Sequence, residues 1–266
     1  MRRHITTLHR CLVAPRLLAL SVALCVLAAS AASAASAAPS LRSAASALTL
    51  AWQDCRAGTG VSTTTFGCAT NTVDFHLFPA FQLASAVDSV VAIECVVDLI
   101  SQTDPVPPWW QLGPTGCRAN ALTVLPATGT ACADPWSGNG SAQLQAYRVS
   151  PETPTMDRAR IVFTVGVLPA QAVTLTSGQP YITADLDLAT RGTIGTGSCS
   201  GCSSTACLVF NSVTLKRLPG ASVTDILISD PASSANWAFW QGTVGVDCAA
   251  VPVRNHTWGA LKSLYR

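Results

Sequence analysis

Apolar residues that recur with a period of two constrain the fold of this chain more than any other feature of its sequence. In the segment VVAIECVVDL, Val91, Ile93, Cys95, Val97 and Leu99 alternate without a gap with smaller or charged neighbours. Successive side chains of a β-strand point to opposite faces of its sheet, so this segment buries one face only. The sequence therefore predicts a half-buried β-strand here.

The same alternation recurs along the chain and predicts about nine or ten short strands. Gly, Pro, Ser and Thr separate the segments, as is typical of antiparallel sheets. The other predicted strands lie near 48–52, 73–83, 121–125, 159–167, 182–188, 206–216, 222–228 and 236–246. Because sheets with one apolar face must cover that face, we expect an all-β fold: a two-sheet antiparallel sandwich of jelly-roll or immunoglobulin-like type.

Residues 1–37 predict export. Four arginines and no acidic residue accompany the apolar run 17–28, and an Ala/Ser tract follows it. This is the order of a cleavable signal peptide, with Ala35 and Ala37 at the small-residue positions of the cleavage site. The alternatives are a membrane anchor and a lipoprotein site at Cys25, although the run is shorter than the ~20 residues of a spanning helix.

The chain after this leader is predicted to be one β-sandwich domain, 38–266, that is secreted, periplasmic or on the cell surface, with no membrane span. The Pro-containing stretch 149–157 is the only candidate boundary. The leader holds four of the sixteen basic residues, which leaves twelve against fourteen acidic ones. A chain with no basic excess is not expected to bind nucleic acid.

Nine of the eleven cysteines follow the leader, and an oxidising compartment makes disulfides the expectation. The eight candidates are Cys55, Cys68, Cys117, Cys132, Cys199, Cys202, Cys207 and Cys248. Proximity in sequence favours Cys55–Cys68 and Cys117–Cys132, since closing the first of these loops would stabilise the chain by about 3 kcal/mol. The last four would form two bridges in one of three arrangements, Cys199–Cys207 with Cys202–Cys248 among them.

The ninth cysteine, Cys95, lies on the inward register of its strand and is expected to be a buried, inert thiol. The spacing C-x2-C-x4-C of residues 199–207 would also supply three zinc ligands, but a second close pair is missing. We therefore predict no metal and no cofactor.

Catalytic patterns are weak. The chain has no G-x-S-x-G, and after the leader only His76 and His256 remain as histidine bases. We expect His76 to point outward from its strand. Asp185 with Asp187, and Glu94 with Asp98, share strand faces and could act as general acid and base. A polar outward face is the favoured explanation of both pairs, and no catalytic residue is predicted.

Five tryptophans lie in or near predicted loops: Trp109, Trp110, Trp136, Trp237 and Trp240. Flat aromatic rings on a sandwich are what carbohydrate-binding modules use to stack against sugars. These five residues are therefore the candidates for ligand stacking, although core and inter-sheet packing accounts for most tryptophans in sandwiches and is the favoured interpretation.

The end of the chain differs from the rest. Thr257 can cap a short helix in which Trp258, Leu261, Leu264 and Tyr265 share one face. So short a helix is not stable alone in water. We expect it to dock on the sandwich, on a partner or on the cell envelope.

Three stretches carry a resemblance: LTLAWQDC, CSGCSSTACLVFNSVTL and PVRNHTWGALKSLYR. Together they resemble a group of uncharacterised exported bacterial proteins that end in a similar TWG-x-x-K-x-LYR tail, which implies a standalone exported domain. A weaker resemblance is to cohesin-like β-sandwiches, in which a strand such as RARIVFTVGV is followed by one like SGQPYITADLDLA.

These patterns favour a non-catalytic exported module over an enzyme. Its ligand would be a glycan or an envelope protein, or its role would be structural at the cell surface. The alternative is a glycan-active hydrolase that uses Asp or Glu side chains.

Overall fold

The computed structural model describes residues 47–149, 156–218, 224–229, 234–243 and 245–248. The predicted leader lies outside these ranges. So do the predicted docking residues Trp258, Leu261, Leu264 and Tyr265, and both predictions remain untested.

Within the described ranges the chain forms thirteen β-strands and three single turns of 3₁₀-helix. The strands are β1 (Ala47–Trp52), β2 (Thr63–Thr64), β3 (Asp74–Gln82), β4 (Val87–Ser101), β5 (Leu122–Leu125), β6 (Ser141–Val149), β7 (Arg158–Gly166), β8 (Val173–Leu175), β9 (Pro180–Ile182), β10 (Asp185–Ala189), β11 (Ala206–Arg217), β12 (Ile226–Ser229) and β13 (Trp237–Trp240). The 3₁₀ turns are Pro108–Trp110, Pro169–Gln171 and Ser234–Asn236. No helix in these ranges has the length and apolar character needed to cross a membrane.

The strands form two sheets, which confirms the predicted all-β class. The smaller sheet has the order β1-β3-β10-β5, and β9 also pairs with β3. The larger sheet has the order β2-β13-β11-β4-β7-β6, and β12 and β8 pair with β11 and β4. The named strands pair antiparallel apart from β13 with β2. Strands β6 and β7 flank the candidate boundary at 149–157 and pair with each other.

Strand β4 shows how the alternation builds the core. Ile93, Cys95, Val97 and Leu99 are fully buried between the sheets, where removal of their apolar surface from water stabilises the fold by roughly 1.5–3 kcal/mol for each large side chain. Cys95 is the free cysteine of the described residues. The prediction that this thiol is buried is confirmed. Burial raises its pKa well above the ordinary value, and low reactivity is what such a shift favours.

The prediction of ligand-stacking tryptophans is wrong for four of the five. Trp109, Trp110, Trp136 and Trp240 are at most 3% exposed and belong to the main core. Only Trp237 is partly exposed. Trp240 points inward from β13, and the turns that carry Trp109, Trp110 and Trp136 fold against the core. These large rings are buried because removal of their apolar surface from water stabilises the fold.

Trp240 is the centre of this aromatic packing. Its ring centroid lies 4.1 Å from that of Phe66 in a stacked arrangement and 4.6 Å from that of Trp109. Trp52 and Trp110 meet the same ring edge-on, at 5.8 and 5.4 Å. The indole N–H of Trp240 donates to a backbone carbonyl 2.6 Å away, which satisfies the one polar group of the buried ring.

All eight candidate cysteines form disulfides, but the predicted pairings are wrong. The bonds are Cys55–Cys132, Cys68–Cys202, Cys117–Cys199 and Cys207–Cys248. The Cα atoms of each pair lie 5.8 to 6.0 Å apart, as a disulfide requires. Cysteines close in sequence do not meet because strand order, not loop length, sets which loops become neighbours.

Two of the disulfides close small apolar clusters on the outward faces of the sheets. On the smaller sheet, a group that we call the Cys132 cluster consists of Cys55, Phe78, Ala80, Ala127, Cys132 and Ile182. On the larger sheet, the Cys248 cluster consists of Ile100, Cys207, Val209 and Cys248. The other two disulfides tie the loop at 190–205 to the loops at 65–73 and 111–121.

Substitution of Trp240 tests the aromatic core. Trp240→Ala should lower the free energy of unfolding by about 3–5 kcal/mol, because it leaves a cavity that the neighbouring rings cannot fill. Urea unfolding of the oxidised protein, followed by far-UV circular dichroism, measures this change. Trp237→Ala is the matched control on the same strand and should cost clearly less, since its ring faces outward. Equal losses would contradict this account of the core.

Candidate functional site

The half of the smaller sheet's outward face that the Cys132 cluster does not cover carries polar side chains on three adjacent strands. Asp187 of β10 lies in register with His76 of β3 on one side and with Thr123 of β5 on the other. One step along, Asp74 of β3 lies in register with Ala189. Because outward residues of neighbouring strands are about 5 Å apart, the register brings these side chains together.

His76 and Asp185 form the one ion pair of this face that the described residues show. The Nδ1 atom of His76 lies 2.9 Å from Oδ2 of Asp185 and 3.1 Å from Oδ1. The histidine side chain is 44% exposed and the aspartate side chain 16% exposed. Solvent therefore reaches the imidazole, as predicted for an outward strand residue.

Asp187 is the unusual member of this group. Its Oδ1 atom is buried and has no hydrogen-bond partner among the residues that the structure describes. Burial raises the pKa of the Asp187 carboxyl, and the negative charge of Asp74 raises it further, against the opposing effects of His76 and Arg191. A buried acceptor without a donor costs free energy, so the fold alone gives no reason for a carboxylate here.

The pKa of Asp185 is raised as well. Burial raises the pKa of its carboxyl, Asp187 adds to that effect, and the contact with His76 offsets part of it. Neighbouring carboxylates with raised pKa values are a common feature of binding and catalytic sites. We therefore take His76, Asp185 and Asp187, with Asp74 and Thr123 beside them, as the candidate site and call it the His76 face.

The position of β10 in this face is fixed from its C-terminal end. Arg118 donates hydrogen bonds to the carbonyl groups of Ala189 and Arg191, and its guanidinium lies 3.6 Å from the ring centroid of Trp109. Burial lowers the pKa of Arg118 to about 10, which still leaves it charged at neutral pH. This buried anchor holds the strand that carries both aspartates.

Chemically, the His76 face offers carboxylate acceptors to a ligand that donates hydrogen bonds. Sugar hydroxyl groups and the side-chain or backbone N–H groups of a protein are such donors. In the part of the chain that the structure describes, His, Cys, Asp and Glu side chains do not form a group of three that could hold a metal ion.

The other predicted carboxylate pair, Glu94 and Asp98, contacts basic residues of the larger sheet. Asp98 is 5% exposed and accepts hydrogen bonds from Nε and Nη2 of Arg160 at 2.6 and 3.0 Å. Glu94 lies 3.9 Å from the ammonium group of Lys216. These two carboxylates are part of the larger sheet's own ion pairs, whereas Asp185 and Asp187 remain at the candidate site.

Sequence reasoning missed that His76 meets Asp185. Both residues were placed on outward strand faces, but they are 109 positions apart in the chain. Only the pairing of β3 with β10 makes them neighbours. The one available signal was the matching i, i+2 pattern of polar residues at 74 and 76 and at 185 and 187.

The pH dependence of stability tests the electrostatics of the His76 face. A carboxyl whose pKa is higher in the folded than in the unfolded state favours folding at low pH, and this contribution is lost as pH rises from the ordinary value of 3.8 through the raised one. Asp187→Asn should therefore unfold at a higher urea concentration than the wild type at pH 7. The difference should vanish below the ordinary aspartate pKa.

Asp225→Asn is the control for this measurement. Asp225 accepts a 3.0 Å hydrogen bond from Lys216 at the surface, so its loss should give no gain in stability at any pH. If the wild type and Asp187→Asn have the same free energy of unfolding at every pH, the carboxyl of Asp187 does not destabilise the folded state.

The comparisons with protein-family models, with curated proteins and with solved structures each found no match to this chain.

Proposed function

We propose that this chain is an exported, non-catalytic binding module whose His76 face recognises a glycan or a protein. The observation that carries the proposal is the unpartnered, buried Oδ1 atom of Asp187 beside a second carboxylate of raised pKa. Both features cost folded-state stability and neither is needed for packing. Groups that a fold retains at such a cost are typical of functional sites.

The disulfides support export. Four of them lie within the described residues, and such bonds form and persist in an oxidising compartment outside the cytosol. Together with the predicted signal peptide 1–37, they favour secretion, the periplasm or the cell surface as the place where the module works.

The second candidate is a glycan-active hydrolase, and Asp185 and Asp187 are the observation in its favour. Their raised pKa values suit one of them to act as a general acid. Against it, Asp185 is tied to His76, and four of the tryptophans that could line a sugar subsite are in the core. A non-catalytic module accounts for this arrangement more simply.

The proposed binding can be tested with the purified, oxidised chain. We would probe a glycan array and a panel of bacterial envelope proteins with it. For any ligand that is found, Asp187→Asn should weaken binding about tenfold or more, since a hydrogen bond to a charged group is worth about 1.5–3 kcal/mol. Isothermal titration calorimetry measures the loss. Asp225→Asn, on the other sheet, should bind like the wild type.

Two outcomes would reject the proposal. A ligand bound equally well by wild type and Asp187→Asn would place recognition away from the His76 face. Oligosaccharide cleavage by the wild type that Asp187→Asn lacks, detected by mass spectrometry of the products, would establish the hydrolase instead.

A further inference from the structure

The outward face of the larger sheet is buried at the Cys248 cluster. Ile100 and Val209 are 4% and 5% exposed, although they point away from the smaller sheet. Trp237, Phe239 and Val246 pack against them and are only partly buried. The partly exposed side chains of Trp237, Phe239 and Val246 leave apolar surface on the outside of the sandwich, and such a surface is a place where another segment can bind.

Polar groups on the same face are also buried. Asp98 is 5% and Asn211 3% exposed, and the amide nitrogen of Asn211 donates to the carboxylate of Asp98. A bulge in β11 at Asn211 turns this side chain toward Asp98. The Oδ1 atom of Asn211 is buried and finds no hydrogen-bond partner within the described ranges. This acceptor is an independent sign that a donor from a further segment belongs here.

The described chain ends on this face. Cys248 is bonded to Cys207 of β11, and 18 residues follow it in the sequence, 249–266. They contain four large apolar side chains at helical spacing, several hydrogen-bond donors and no acidic residue. We propose that this segment binds the outward face of the larger sheet of its own molecule, over the Cys248 cluster and Asn211.

Tethering favours the chain's own segment over any other occupant. Because the disulfide fixes residue 248 at the edge of the Cys248 cluster, the segment that follows has an effective concentration on the order of millimolar at that surface. A second copy or a separate partner at micromolar concentration competes poorly. Binding in this way also gives the short predicted helix at 257–266 the apolar contact that it needs for stability.

The rate at which the Cys207–Cys248 bond is reduced tests this proposal. The oxidised full chain and a variant that lacks 257–266 are treated with dithiothreitol at low micromolar concentration, alkylated at intervals and mapped by mass spectrometry. Removal of the segment should speed reduction of Cys207–Cys248 about tenfold or more, because the bond loses its cover. The Cys55–Cys132 bond, on the other sheet, is an internal control and should be reduced at an unchanged rate.

A second variant keeps the test decisive if truncation disturbs the whole fold and speeds reduction of both bonds. Trp258→Ala combined with Leu261→Ala removes apolar contacts only, and Ser263→Ala is its matched control. The double variant should expose Cys207–Cys248 alone, and a synthetic peptide of residues 249–266 at millimolar concentration should restore protection.

The proposal is overturned if the bond is reduced equally fast in the full chain, the truncated chain and the double variant. It is also overturned if protection in the full chain disappears on dilution, which would make a second copy the occupant.

Discussion

Burial of two apolar sheet faces against each other is the interaction on which the rest of this structure depends. Strand β4 lies in the middle of the larger sheet and presents an unbroken inward row from Ile93 to Leu99. At one end of the interface the aromatic packing around Trp240 fills the space between the sheets. This burial leaves each sheet a second, outward face, and two of the disulfides and the candidate site lie on those faces.

The four disulfides of the described residues have two structural roles. Cys55–Cys132 and Cys207–Cys248 each pin a loop over a small apolar cluster outside the main core. Such clusters bury too little surface to hold a loop without a covalent link. Cys68–Cys202 and Cys117–Cys199 tie neighbouring loops together and so help to fix β10, which Arg118 also anchors. The charged face of β10 is thus held by the buried side chain of Arg118 and by two disulfides between neighbouring loops.

The His76 face contains a buried carboxylate oxygen that lowers the stability of the folded state. Other buried charges, such as that of Asp98, have close partners, whereas Asp187 keeps one oxygen buried and unpaired. A rigid sheet can hold such a group in place because the main core supplies the stability. An acceptor held in this way is suited to a ligand that donates a hydrogen bond.

By itself the sequence determined the fold class, the identity of the half-cystines and the burial of the Cys95 thiol, because period-two alternation and the cysteines that follow a predicted signal peptide act through local rules. The tertiary structure alone decided which cysteines pair, which tryptophans are buried and that His76 meets Asp185. Those outcomes depend on strand order and register, which bring together residues 41 to 134 positions apart. Local patterns carry no information about such distant contacts, since any order of the same strands would bury the same apolar faces.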